Sequence, residues 1–380
     1  MKITFDASPL LTSKTGVAYY TEQLVGALAK EYPDDLELVG FYYNFLGRRN
    51  STHLKHTRNL RYNHFSIIPS KVIFQLRRFG VECPIELLAG GRGDFVLYDN
   101  FIGYPSLFNT PSAPVIHDLT YIDLPDYVSG KLRRDLIRLM PKTIKRASFV
   151  ITVSEFSKKR VMEVYGLTSE KVVVTPIPPQ TPLVRDTTAV GTELKKMGVR
   201  KPYILFLGTV EPRKNIPNLI DAYLQLPSAT RNTYDLVIAG MIGWNCDKEL
   251  RKIKETVGKG VIHLGYVSEN QRAALYQHAS LFAHASFYEG FGMPVLEAMS
   301  YGVPCTISDI PIYREIAGDA AVFFNQDKPA SIAASIQDLL THEQKRKNLS
   351  QRGLEHVAEY SWQKSAKTLY KAISDAVQKR

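Results

Sequence analysis

The sequence predicts an α/β protein of two doubly wound domains. Short apolar runs alternate with helical patterns in both halves of the chain, a proline-rich segment divides the halves, and 380 residues are too many for one ordinary core. In the C-terminal half the apolar runs 203–207, 235–239, 261–264, 281–283 and 321–324 read as strands separated by helices, the pattern of a parallel sheet covered on both faces. Ser268 with Gln271 makes a capping-box signature ahead of the helix that carries Arg272 and Tyr276. The N-terminal half repeats the scheme with strands at 3–5, 36–39, 115–116 and 149–153.

Residues 175–182, TPIPPQTP, permit neither a helix nor a central strand and read as a hinge. The expected division is therefore a first domain over 1–180, a second over 181–360 and a terminal helix over 361–380, where residues 361–370 have helical apolar spacing. Ligands of open α/β sheets bind beyond the carboxyl ends of the strands, so two such domains facing each other would enclose one cleft.

Composition narrows the function classes. With 44% hydrophobic and 22% charged residues the chain reads as soluble and globular, and no apolar run approaches bilayer length. The first residues enter a strand directly instead of forming a signal segment, and the three cysteines, Cys83, Cys246 and Cys305, are scattered, so the expected compartment is a reducing cytoplasm. Of the net charge of +11, residues 48–92 hold nine Lys or Arg against two Glu, and residues 127–146 hold seven against one Asp. No nucleic-acid recognition motif accompanies this charge. An anionic membrane surface at the inner face or a lipid-pyrophosphate-linked acceptor is the partner it suggests.

The segment 286–299, SFYEGFGMPVLEAM, concentrates the chemistry. Gly290 and Gly292 let the chain turn after a strand, Pro294 suits the first turn of a helix, and free backbone N–H groups at that helix start would point at a diphosphate. Glu289 in the turn and Glu297 in the helix would reach a sugar ring and a ribose, and spacing alone does not say which takes which. As an isolated pair they would be no more than a dipole-complementing carboxylate and a solvated face.

The pattern of Glu289, seven residues and Glu297 within EGFGMPVLEAM resembles the signature of the retaining GT-B glycosyltransferases of the GT4 type, which include bacterial mannosyl- and glucosyltransferases. The resemblance implies two Rossmann-like domains, the terminal helix crossing back onto the first, acceptor-side domain, and no metal or other cofactor. It implies Glu289 on the sugar hydroxyls, Glu297 on the ribose, and the backbone around Phe291 and Gly292 on sugar and diphosphate. In the stretch 208–215, GTVEPRKN, Arg213 and Lys214 are the cations for the diphosphate, although many relatives carry an arginine where this chain has Thr209.

Further positions follow from the same resemblance. Gly16, in the stretch 13–20, would bring backbone close to donor phosphate or acceptor. His117, after the strand 115–116, would contact the transferred sugar. Gly240, Tyr266 and Val267 would lie beside the nucleoside base. Transfer would occur on one face of the sugar, with the departing phosphate oxygen taking the acceptor proton. The stretches 208–215 and 152–157 look most like bacterial polysaccharide mannosyltransferases, so GDP-mannose is the first expected donor, with UDP-glucose and other UDP-sugars as alternatives.

Three other classes compete. A sugar-nucleotide epimerase fits the scaffold but not the basic acceptor-side segments, and a non-catalytic sugar-nucleotide-binding protein does not need both glutamates beside an Arg-Lys pair. A dinucleotide oxidoreductase lacks the Gly-x-Gly-x-x-Gly step. His278 and His284 form no metal-binding motif.

Overall fold

Continuous apolar runs bounded by Gly, Pro or Asn become buried parallel strands, and two separate sheets result. The computed structural model of the chain describes residues 1–380 except 12–14, 46–50, 52–53, 184–185 and 380. The first sheet contains β1 (Lys2–Asp6), β2 (Glu37–Tyr43), β3 (Leu60–Phe65), β4 (Phe95–Tyr98), β5 (Ser112–Ile116), β6 (Val150–Thr152) and β7 (Val172–Val174), in the order β3-β2-β1-β4-β5-β6-β7. The second contains β8 (Tyr203–Leu207), β9 (Asp235–Ala239), β10 (Val261–Gly265), β11 (Leu281–His284), β12 (Cys305–Ser308) and β13 (Ala321–Phe324), in the order β10-β9-β8-β11-β12-β13. Strand order reverses between β1 and β4 in one sheet and between β8 and β11 in the other. Those two switch points are where open α/β sheets receive ligands.

The chain divides into two compact units. One comprises Met1–Asp123, Gly130–Ile177 and Ser361–Arg380, and the other Leu124–Ser129 and Pro178–Tyr360, so the main division falls inside the proline-rich segment. The six residues Leu124–Ser129 depart from the expected boundaries. Trp244 Nε1 donates to the Tyr127 carbonyl at 2.8 Å, and the Tyr127 ring lies 6.2 Å from that of Phe287, which ties this short stretch to the second unit.

In the first unit the helix Gly16–Glu31 buries Tyr20, Leu24, Val25 and Leu28 along one stripe. The terminal helix Trp362–Gln378 packs against it through Ala366, Leu369 and Ile373. Ser361 caps that helix, Ser365 donates to the Pro176 carbonyl at 2.9 Å, and Tyr370 stacks on Tyr32 at 3.8 Å. Burying Leu369 and Ile373 contributes about 1.5–3 kcal/mol each, enough to hold a helix that returns to its unit from 184 residues away in sequence.

The core of the second unit joins Ile204, Phe206, Leu236, Ile238 and Leu281 of its strands to Leu219, Ile220, Ile332 and Ile336 of flanking helices. The predicted capping box is present at Ser268 and Gln271. Among the described residues no helix is long and apolar enough to cross a membrane.

Candidate functional site

At the switch point of the second unit, the turn after β8 and the turn after β11 are stitched together. The first contains a short 3-10 helix, Pro212–Lys214, and Asn215 then takes a left-handed conformation that starts the helix Ile216–Gln225. The second runs from Ala285 to Gly292. The Phe287 N–H donates to the Arg213 carbonyl at 2.9 Å, so the two turns hold each other in register.

Glu289 lies between both cations. Lys214 Nζ is 2.5 Å from its Oε1, and Arg213 is 2.6 Å from its Oε2. Ser286 Oγ also donates to Oε1 at 2.8 Å. Arg213 makes a second ion pair with the buried Glu211 at 2.7 Å and donates to the Tyr288 carbonyl at 3.1 Å. Lys214 and Glu289 are each 5% exposed, and such a pair holds only because each charge is matched and hydrogen-bonded. Burial alone would raise the Glu289 carboxyl, yet the Arg213 and Lys214 charges hold it well below the usual carboxylate range. Burial, and then the Arg213 charge, lowers the Lys214 ammonium.

Behind Glu289 lies a buried histidine. His284 stacks on Phe206 with ring centres 4.9 Å apart, and its Nδ1 is 2.5 Å from the Tyr313 hydroxyl and 3.1 Å from Ser286 Oγ. Burial and then the Lys214 charge push its pKa down to about 3, so it is neutral at physiological pH.

Glu297 occupies a different setting on the helix Met293–Ser300. Arg272 donates to its Oε1 at 3.1 Å and Tyr276 to its Oε2 at 3.0 Å, while Arg272 also reaches Gln180. Burial raises the Glu297 pKa, with Arg272 pulling it back. Each carboxylate oxygen retains a further lone pair for a hydroxyl.

Gly290, Phe291 and Gly292 form the turn into that helix, which has no side-chain cap at its start. Gly292 has φ of +105°, and a Cβ there would sit 2.7 Å from Tyr313 Cε1 and 2.8 Å from Ile316 Cδ1. Gly240 is equally constrained, because a Cβ would lie 1.9 Å from the Gly208 carbonyl oxygen. Beyond β10, Tyr266 is exposed and Val267 half-buried. The expected base contacts thus flank the ends of β9 and β10, with Gly240 packed against Gly208 at the start of the turn that carries Arg213 and Lys214.

Gly16 and His117 belong to the first unit. Gly16 opens its helix, with the Thr15 side chain accepting from the Ala18 N–H at 3.3 Å; Ser13 and Lys14 of the same expected turn lie outside the described residues. His117 follows β5, and its Nε2 donates to the Asp99 carbonyl at 2.9 Å, which leaves Nδ1 as the acceptor. Burial lowers the His117 pKa. Asp99 is fully buried, and neither of its carboxyl oxygens has a partner among the described residues; burial, reinforced by Asp6, raises its pKa well above the carboxylate range. Among the described residues no three His, Cys, Asp or Glu side chains gather as a metal site.

Residues 193–356, all within the second unit, match the family of glycosyl transferases group 1. The chain is a glycosyltransferase with a group 1 domain. It is 29% identical to O-antigen chain mannosyltransferase B of Escherichia coli over 375 residues, 96% of this chain and 97% of that one. Among solved structures it is similar to sucrose-phosphate synthase from Thermosynechococcus elongatus, with a TM-score of 0.75 at 17% identity over the full length of both chains. It is also similar to Anabaena HepE in complex with UDP-glucose, with a TM-score of 0.71 at 18% identity over 99% of this chain and 100% of that one. These likenesses establish the fold, two Rossmann-like units of the GT-B class.

The group 1 domain therefore brings Arg213, Lys214 and Glu289 into one cluster and sets Glu297 apart in another. Sequence reasoning missed Ser286, His284 and Tyr313 behind Glu289, and Arg272 and Tyr276 around Glu297. A signal existed for two of them, since Arg272 and Tyr276 lie four apart on one face of the capped helix.

Proposed function

We propose that this glycosyltransferase moves a mannosyl residue from GDP-mannose to a saccharide or lipid-linked saccharide acceptor in the synthesis of a bacterial surface polysaccharide, with retention and without a metal. The likeness to the Escherichia coli O-antigen chain mannosyltransferase supports hexosyl transfer in that setting. The observation that carries the reading is the meeting of Arg213, Lys214 and Glu289 at the switch point of the group 1 domain.

Two fixed cations in a buried site favour charge that develops on a departing diphosphate, because they need no reorganisation as it forms. The bond between the anomeric carbon and the donor phosphate oxygen breaks. A bond to the acceptor oxygen forms on the same face, and the acceptor proton passes to the departing phosphate oxygen. Glu289 accepts from hydroxyls of the sugar, and Glu297 accepts from the ribose with the lone pairs that Arg272 and Tyr276 leave. Gly290, Phe291 and Gly292 offer backbone to sugar and diphosphate, while Gly240, Tyr266 and Val267 flank the base. In the first unit His117 offers Nδ1 to a sugar hydroxyl and Gly16 offers the start of its helix.

A thermal-shift panel of GDP-, UDP-, ADP- and dTDP-sugars tests the donor, because a ligand that binds only the folded state raises its stability. GDP-mannose should give the largest shift and EDTA should leave transfer unchanged. A larger shift with a UDP-sugar would overturn the choice of nucleotide.

We also propose that the first unit docks on an anionic membrane. Ile67, Phe74, Phe79 and Val81 are exposed beside Lys71, and Leu132 and Ile137 are exposed on the basic helix Gly130–Arg146. The same helix buries Leu136, Leu139 and Met140, so only part of it is available. Flotation with anionic vesicles should show binding that salt weakens, and binding indifferent to lipid charge would refute it.

A further inference from the structure

The cations of the diphosphate site already have their charges matched. Arg213 and Lys214 supply two positive charges; Glu211 and Glu289 supply two negative ones. An incoming diphosphate therefore competes with a carboxylate for the charge of each cation. Among the described residues the Glu211 carboxylate pairs with Arg213, through Nε, whereas the Glu289 carboxylate spans both cations with one oxygen on each. Glu289 also has a partner besides the two cations, the Ser286 hydroxyl. Ser286 is itself held near the His284–Tyr313 pair, whose ring is fixed by stacking on Phe206.

We propose that donor binding is an ion exchange in which the diphosphate replaces Glu289 on Arg213 and Lys214, while Ser286 keeps Glu289 in place to accept from the sugar. This rests on reading the cluster as the donor site. Glu289 is then the resting counter-ion of the site as well as a sugar ligand, and Ser286 is a positioning residue. The asymmetry gives the reaction a direction. A nucleoside diphosphate that still bears its sugar gives Glu289 new partners in exchange for those it loses. A bare nucleoside diphosphate gives it none, so after transfer Glu289 returns to the cations and expels the product.

Calorimetric titration of GDP, UDP, GDP-mannose and UDP-glucose into the wild type, Glu289→Gln and Ser286→Ala tests this. The wild type should bind a sugar nucleotide more tightly than the corresponding bare diphosphate. Glu289→Gln should bind the bare diphosphate at least about tenfold more tightly than the wild type and lose the preference for the sugar. Ser286→Ala should keep the affinity for the bare diphosphate and lose most of the preference. If the wild type binds but Glu289→Gln shows no gain, the exchange is wrong and the donor site stands. If the wild type binds none of the four ligands, the donor-site reading fails and the exchange with it. Should Glu289→Gln not fold, Ser286→Ala decides: equal weakening of both ligand types would overturn the proposal.

Discussion

Lys214→Ala removes one of the two cations that Glu289 bridges, and its effects on stability and on transfer can be worked separately. Breaking a buried ion pair by deleting one partner costs about 3–5 kcal/mol, and the lower end applies because Arg213 at 2.6 Å and Ser286 at 2.8 Å still hold the carboxylate. At about 2–4 °C per kcal/mol for a unit of this size, a loss of about 3 kcal/mol lowers the melting temperature by about 6–12 °C. On the catalytic side, one charge-assisted hydrogen bond to a phosphate contributes about 1.5–3 kcal/mol, so kcat/KM should fall about 10- to 150-fold. Most of the fall should appear in kcat, since the leaving diphosphate gains charge in the transition state. Steady-state assays of nucleoside diphosphate release, with melting followed by circular dichroism, read both quantities. A variant that melts lower but turns over normally would show Lys214 to be a structural counter-ion and refute its role at the diphosphate.

Other perturbations probe the framework around the cluster. Gly292→Ala should cost about 2–5 kcal/mol, from about 1–2 for a left-handed backbone and about 1–3 for forcing a methyl group against Tyr313 and Ile316; urea unfolding within 1 kcal/mol of the wild type would contradict this. His284 titrates near 3 in the fold and near about 6.5 when unfolded, so below about 6.5 the unfolded chain binds a proton that the folded one refuses. The stability it supplies is complete above that pH and is lost as pH falls, by about 1.4 kcal/mol per unit down to about 3. Urea unfolding should show about 2 kcal/mol lost between pH 7 and 5, and His284→Gln should lose that dependence.

Much of this organisation is legible in the sequence because its physical signals are local. The runs that became β8 and β9 are uninterrupted and apolar, and the glycines and Pro294 around Glu289 announce a turn into a helix. Other elements carry no such signal. In β12 Thr306 and Ser308 are buried, so the strand reads as polar and was not expected. Strand β3 lies at the edge of its sheet and mixes Arg61, Asn63 and His64 with its apolar residues. The partners of the glutamates were hidden by distance along the chain: Glu289 meets its cations 75 and 76 residues away, and His284 meets Tyr313 29 residues away. The assignment of Leu124–Ser129 to the second unit depends on Trp244, 117 residues from Tyr127. Strand order brings such residues together, and no periodicity announces it.

The central claim is transfer from a nucleotide sugar with retention. Nuclear magnetic resonance of the products formed from GDP-mannose and a mannose-terminated saccharide primer measures it directly, with released GDP counted in parallel. One new α-linked mannoside for each GDP released is the predicted result. GDP release without a new glycoside, or a β-linked product, would contradict the account.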